Sequence, residues 1–225
     1  MRVVVTGSNG LIGSALCQAL TAKGDAVVRL VRGTGERGSN SWNLDSRRID
    51  DEAIEGSDGV VHLAGAGIAD HKWTPEHKKA VLETRIVGTT LMAETIAKLG
   101  RRPSVWVSGS AIGFYGDRGD ETLDDEVRAI EHILGTPALC GPVNATSPQP
   151  VTNTEFTKAL GAALHRPTFL PTPLFAVKAM FGAEMVREML LASARVTPRK
   201  LLDSGFRFNH PDLAGALRLI LENGA

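Results

Sequence analysis

Thr6-Gly7-Ser8-Asn9-Gly10-Leu11-Ile12-Gly13 sets three glycines three residues apart, after an apolar run and before a helical pattern. That context gives the spacing chemical meaning. Gly7 permits a sharp strand-to-helix turn. Gly10 lets the backbone approach a pyrophosphate with no Cβ between them. Gly13 lets the helix pack closely on the strand. With Asn9, Leu11 and Ile12 the segment opens a helix whose free N–H groups and partial positive charge suit phosphates. The expected ligand is a dinucleotide; the alternative is a tight turn that holds nothing. The end of the second strand selects the dinucleotide. In NAD sites an acid about 20 residues beyond the glycines accepts from the ribose 2′-OH. Arg29-Leu30-Val31-Arg32-Gly33 offers no acid there. Arg32 can pair bidentately with a 2′-phosphate, and Arg37 is a second candidate, so NADP is expected over NAD.

Other reactive groups are sparse. Cys17 and Cys140 form neither a disulfide framework nor a zinc spacing, and both read as buried reduced thiols. The six histidines are scattered, and His71 and His77 are not at helical ligand spacing, so no metal site is expected.

The elements that must position these residues alternate in type. Arg2 to Thr6 reads as a buried strand, and Ile12, Leu16 and Leu20 recur at helical spacing up to Gly24. Ala26 to Val31, Trp42 to Leu44, Gly59 to Leu63 and Val105 to Val107 read as further strands, with a long helix over Pro75 to Leu99. The class is α/β: a Rossmann-type parallel sheet with helices on both faces. The second half reads differently. Helices are expected over Asp125–Leu134, Thr154–Leu164, Leu174–Ser193 and Asp212–Glu222, with a short extended piece at Val143–Ala145. Thr152 or Asn153 could cap the second of these helices, Gly161 sits awkwardly near its end, and Pro211 suits the first turn of the last. The expected division is 1–123 for the dinucleotide domain and 124–225 for a second lobe, mainly helical over 168–225.

Composition narrows the partners. The chain has 225 residues, with 25 Lys+Arg against 25 Asp+Glu. Zero net charge removes the general drive toward nucleic acid or anionic membranes and leaves a small-molecule substrate. No apolar run approaches the roughly 20 residues that span a bilayer. The richest, Phe169 to Phe181, is broken by Pro171, Pro173 and Lys178. Met1-Arg2-Val3 runs straight into the glycine motif, so no signal peptide is read and a cytoplasmic location is expected.

Taken together, Gly7/Gly10/Gly13, His62-Leu63-Ala64-Gly65 and Ser108-Gly109-Ser110-Ala111-Ile112-Gly113-Phe114-Tyr115-Gly116 resemble the extended short-chain dehydrogenase/reductases. More narrowly, with Lys72-Trp73-Thr74, Glu83-Thr84-Arg85 and Gly88-Thr89, they resemble the NAD(P)-dependent epimerase/dehydratase-like subfamily. Arg195-Val196-Thr197-Pro198, Leu201-Leu202 and Gly205-Phe206-Arg207-Phe208 resemble that subfamily's C-terminal helical domain of unknown function. The resemblance implies that Ala64 and Gly65, beside Leu63, line the adenosine and ribose side of the cofactor. It places Ser108 near the nicotinamide ribose and Ser110 at the position of a catalytic hydroxyl.

Two departures bear on catalysis. The superfamily's Tyr-x-x-x-Lys pair is absent: Tyr115 is the one tyrosine, Gly119 stands four residues on, and the next lysine is Lys158. Glu121-Thr122-Leu123 also joins Asp124-Asp125 directly, where the family carries about two strand-helix units, each βαβ unit needing roughly 30 residues. Three readings follow. One is an NADP(H)-binding epimerase/dehydratase-like oxidoreductase acting on a small polar substrate, a sugar nucleotide among them, with Ser110 orienting it and Tyr115 a distant acid. The second is a non-catalytic dinucleotide-binding protein. The third is an interaction protein, in which Met185, Val186, Met189 and Leu190 form an apolar stripe suited to core or to a homodimer contact.

Overall fold

The computed structural model describes residues 1–68, 71, 73–109, 124–168, 173–187, 191 and 195–223. The chain forms two compact units: Met1–Ala111 with Ile133–Pro137, and Ile112–His132 with Ala138–Ala225.

The first unit is built on β1 (Arg2–Thr6), β2 (Ala26–Arg32), β3 (Ser41–Asn43), β4 (Arg48–Ile49), β5 (Gly59–His62) and β6 (Val105–Ser108). Sheet order is β4-β3-β2-β1-β5-β6, parallel except for the β3–β4 pair. The chain walks outward from β1 through β2 and β3, then resumes on the other side of β1 at β5. This reversal opens a crevice at the carboxyl ends of β1 and β5, the general ligand position of such sheets.

Strand alternation sets the two faces. Val4 and Val60 join Leu30, Trp42, Ala53, Ile54, Leu91, Met92 and Leu99 in one cluster, while Val3 and Val5 point to the opposite side. The helices show the complementary stripe. Helix α1 (Leu11–Ala22) buries Gly13, Leu16, Cys17 and Leu20. After the single turn of α2 (Asp51–Ile54), helix α3 (Pro75–Lys98) buries Gly88, Leu91, Met92 and Thr95. Both sets follow i, i+3, i+4, i+7. Thr74 caps α3 by accepting from the His77 N–H, with Pro75 in its first turn. Buried Asp50 caps α2 and also accepts from the Asn40 N–H at 2.7 Å. Strand β4 and helix α2 are too short to announce themselves by periodicity.

The second unit contains α4 (Asp124–Leu134), whose last two residues belong to the first unit, with α5 (Asn153–Ala163), α6 (Leu174–Phe181), α7 (Ala183–Met185), α8 (Arg199–Asp203) and α9 (Leu213–Asn223). Thr152 and Glu155 form a capping box on α5, and Asp212 accepts from the Gly215 N–H at 2.8 Å to cap α9, leaving Pro211 just outside. Gly161 has a packing reason: a Cβ there would lie 2.2 Å from Thr168 Cγ2 and 2.9 Å from the Arg166 carbonyl. The single helix expected over Leu174–Ser193 is broken at Gly182, whose φ of +86° ends α6. Val143–Ala145 lies in no regular element. Cys17 is buried, but Cys140 is exposed in the segment between α4 and α5 that lacks regular structure, so only one thiol is a core residue.

Asp125 organises this unit. Its Oδ1 accepts from Arg128 Nη1 at 3.0 Å and from the Asn209 N–H at 2.8 Å, and its Oδ2 from the His210 N–H at 3.1 Å. The loop so tied follows Phe206, which is buried beneath the Arg128 guanidinium at 5.4 Å and packs edge-on against Phe208 at 4.9 Å. His132 Nε2 and Ser204 Oγ are 2.8 Å apart on the same face. The Asp125→Ala variant leaves two backbone N–H groups and a guanidinium without their acceptor. We expect a loss of roughly 2–3 kcal/mol in thermal or urea unfolding, with Asp125→Asn losing less because one acceptor remains.

Candidate cofactor site

The carboxyl ends of β1, β5 and β6 bring Thr6-Gly7, Leu63-Ala64-Gly65 and Ser108-Gly109 together. Gly7 has a φ of +68°, and a Cβ on it would lie 2.8 Å from the Leu63 carbonyl carbon and 2.9 Å from the Ala64 nitrogen. Side-chain space there is zero; the glycine loop and the loop after β5 meet backbone to backbone. A Cβ on Gly13 would lie 2.2 Å from the Gly7 oxygen, so the third glycine seats α1 on the start of the loop itself. A Cβ on Gly10 would meet only the Gly7 oxygen, at 3.3 Å, and otherwise open space. The first and third glycines therefore serve packing, and the second leaves a bare backbone face.

Gly10 is the N-cap of α1 and supplies no side-chain cap, and no acid stands in the first turn. The Gly10 N–H closes the loop on the Gly7 oxygen at 2.9 Å, and Gly10 and Leu11 are exposed. Donors left uncapped at a positive helix end are a fit for a phosphate oxygen. Ser8 Oγ is buried in this loop without a hydrogen-bond partner.

Arg32 ends β2 in register with Trp42, is exposed, and has no hydrogen bond or ion pair with another described residue. Leu30 pairs with Thr6, so Arg32 lies at the same sheet end as the glycine loop. Arg37 is committed elsewhere. Its Nε and Nη2 reach Asp51 at 3.0 and 3.2 Å, and Glu52 lies at 3.5 Å. The hydrogen bond from Arg37 holds the Asp51 carboxyl below its usual range.

The loop after β5 is held at both ends. The Ala64 N–H donates to Thr6 Oγ1 at 3.3 Å. Farther on, the Ala66 N–H donates to Thr84 Oγ1 at 3.0 Å, and Arg85 Nη1 donates to the Ala66 oxygen at 2.9 Å. A Cβ on Gly65 would touch the Arg85 guanidinium at 3.4 Å, so this arginine lies against the expected cofactor wall. Thr6 Oγ1 is also 2.8 Å from His62 Nδ1, in a fully buried setting. His62 packs edge-on against Trp42 at 5.5 Å, and burial pushes its pKa down from the usual value. Thr6, His62, Trp42, Thr84 and Arg85 carry roles that the motif did not announce. The signal present was one histidine at the end of an otherwise apolar strand.

Ser108 is exposed at the end of β6, in register with His62, and the Gly109 N–H donates to the His62 oxygen at 2.9 Å. Ser110 and Tyr115, the two residues read as candidates for catalysis, lie outside the described residues, as does the Leu123 side of the Leu123–Asp124 junction. His71 and His77 do meet, ring centroids 5.3 Å apart, although their spacing in sequence did not suggest it. Among the described residues no three His, Cys, Asp or Glu side chains gather to hold a metal, and no helix is long and apolar enough to cross a membrane.

Two outcomes follow. Gly13→Ala forces a Cβ into the Gly7 carbonyl and should cost at least about 2 kcal/mol in unfolding free energy, since backbone cannot swing aside. His62 has its folded pKa below an unfolded value near 6.5. Its contribution is therefore complete above that pH and is lost as pH falls through the lowered folded value. A series of Tm against pH should show this acid-side loss, reduced in His62→Asn.

Residues 3–134 match the NAD dependent epimerase/dehydratase family, and residues 172–220 match a domain of unknown function. An epimerase family protein of Mycobacterium bovis is 31% identical over 96% of this chain and 96% of its own. The human epimerase family protein SDR39U1 is 26% identical over 98% of this chain and 100% of its own. A crystal structure of that human protein with NADPH has a TM-score of 0.81 and 27% identity, covering 99% of this chain and 100% of the other. The Mycobacterium alignment runs over 291 residues and this chain has 225, so at least 66 aligned positions (291 − 225) have no counterpart here. Glycine loop, parallel sheet and C-terminal helical unit thus have one explanation: this chain belongs to the NAD dependent epimerase/dehydratase family.

Proposed function

We propose that the chain binds NADP(H) and acts as an epimerase/dehydratase-like oxidoreductase on a small polar substrate, sugar nucleotides being the leading class. The observation that carries this reading is the uncapped N-terminus of α1, set where the β1 and β5 loops meet, with Arg32, which has no partner among the described residues, at the same sheet end. When bound, the dinucleotide supplies a nicotinamide that exchanges hydride. The chain's own residues bind and orient. The free backbone N–H groups of Leu11, Ile12 and Gly13 take the pyrophosphate. Arg32 takes the 2′-phosphate as a bidentate pair. Ala64 and Gly65 line the adenosine and ribose side, Ser108 stands by the nicotinamide ribose, and Ser110 orients the substrate with Tyr115 as the distant acid. Support for the phosphate choice comes from the human relative solved with NADPH and from the absence of an acid at the end of β2. Zero net charge suits a cytoplasmic protein whose ligand is held locally.

A second reading is favoured by a specific pair of facts. The chain has no Tyr-x-x-x-Lys pair and leaves at least 66 of 291 aligned positions unfilled. A protein that keeps the adenine half of the site and lacks a wall over the nicotinamide binds the dinucleotide without turning it over.

NADPH at about 100 times its Kd should add roughly 2.7 kcal/mol of stability, read as a rise in Tm larger than that from equal NADH. Arg32→Ala should weaken NADPH about tenfold or more and leave NADH nearly unchanged; equal losses would refute the 2′-phosphate role. Hydride transfer to or from a sugar-nucleotide panel then separates the readings, since binding without turnover selects the second.

A further inference from the structure

Thr6, His62 and Trp42 form a buried polar chain that the proposed binding reading does not use. Thr6 and His62 are both almost completely buried, each at the end of a strand after consecutive valines. A side-chain hydroxyl and an imidazole in such a place are expensive unless each donor and acceptor is matched. Their matching runs through one hydroxyl. Thr6 Oγ1 accepts from the Ala64 N–H and has a single hydrogen of its own. His62 Nδ1 lies 2.8 Å from this oxygen, and donation of that hydrogen to it makes Nδ1 the acceptor and puts the ring proton on Nε2. Nε2 has no conventional hydrogen-bond partner. It faces Gly88 of α3, and the Trp42 ring stands edge-on beside it at 5.5 Å and 79°. A Cβ at Gly88 would lie 3.2 Å from the Trp42 ring and 3.5 Å from His62 Nε2, so only glycine leaves this stack undisturbed.

We infer that His62 is a positioning residue for the dinucleotide: through Thr6 Oγ1 it fixes the Ala64 peptide, and so presets the Leu63-Ala64-Gly65 wall before the ligand arrives. This rests on the NADP(H) reading above and adds to it a reason for the site's affinity. The same peptide is the one that Gly7 abuts at 2.8–2.9 Å. A loop already in its bound arrangement spends less of the binding free energy on ordering. The chain runs from the Ala64 N–H to Thr6 Oγ1 and from Thr6 Oγ1 to His62 Nδ1, and the Trp42 ring packs against the imidazole. Trp42 is the register partner of Arg32, so the element that presents the 2′-phosphate group and the element that presents the ribose wall lean on one another.

The test compares paired variants of the full chain. Thr6→Val keeps shape and removes the hydroxyl, and Thr6→Ser restores it. His62→Leu removes the acceptor, and His62→Asn restores one near the Nδ1 position. Three measurements are made on each: NADPH Kd, Tm, and amide hydrogen exchange at Ala64 without ligand. Thr6→Val and His62→Leu should weaken NADPH about tenfold and speed Ala64 exchange by a similar factor, the cost of one unpaired buried group. Thr6→Ser and His62→Asn should stay within about twofold of the parent protein. Nitrogen-15 shifts of the His62 ring should report the proton on Nε2. Unchanged Kd and Ala64 exchange in Thr6→Val and His62→Leu, even with a lower Tm, would overturn the positioning role. A ring proton on Nδ1 would overturn the bond order. No NADPH binding by the parent protein overturns the cofactor reading, whereas Ala64 exchange still decides whether Thr6 and His62 hold the loop.

Discussion

The first unit depends on one contact: the Gly7 backbone against the Leu63–Ala64 peptide, with no room for a side-chain carbon between them. Everything at the carboxyl end of the sheet follows from that approach. It lets the loop after β5 come to the N-terminus of α1, and it lets Gly13 seat the helix on the Gly7 carbonyl. Because the contact joins backbone to backbone, it can be satisfied only by residue type, not by repacking a flexible side chain. The hydrogen bonds that flank it share this logic. Thr6 and Thr84 each use a hydroxyl to hold an amide of the same loop, and Arg85 holds the Ala66 carbonyl. A wall so tied is a preorganised surface, and preorganisation is what makes a few polar contacts worth more in a site than in water.

Charge is distributed with similar economy. Of the two arginines near the end of β2, Arg37 is bound to Asp51 at the start of α2, and Arg32 has no such partner among the described residues. The Arg37 pair is exposed, so it contributes little to stability. An arginine already paired with a carboxylate is a poor partner for a phosphate. In the second unit the comparable economy lies in Asp125, one carboxylate that satisfies a loop and an arginine together. Around it the unit is less closed. Helix α6 buries none of its residues, and Phe175 is 79% exposed.

Much of the fold was legible because it rests on local rules. The four long strands and helices α1 and α9 follow from apolar spacing, and Gly24 and Thr152 mark an end of α1 and of α5, whereas the caps Thr74 and Asp212 came from the structure. Short elements were not legible: β4 and α2 have too few residues for a period to show. Gly182 misled the reading of one helix, because a positive φ is a property of the folded chain and not of the residue.

The site divides along the same line. The order Gly7, Gly10, Gly13 and the arginine at the end of β2 were determined by the sequence alone, since backbone conformation and charge type act within a few residues. Which glycine faces open space, which arginine is spoken for, and that Thr6, Trp42 and His62 meet were decided only by tertiary structure. Those residues stand 20 to 56 positions apart in the chain. Parallel strands bring them to one edge, and an α3 glycine lets the helix close over them. Hydrogen-bond matching in a buried space depends on where distant groups arrive, and no local pattern records that.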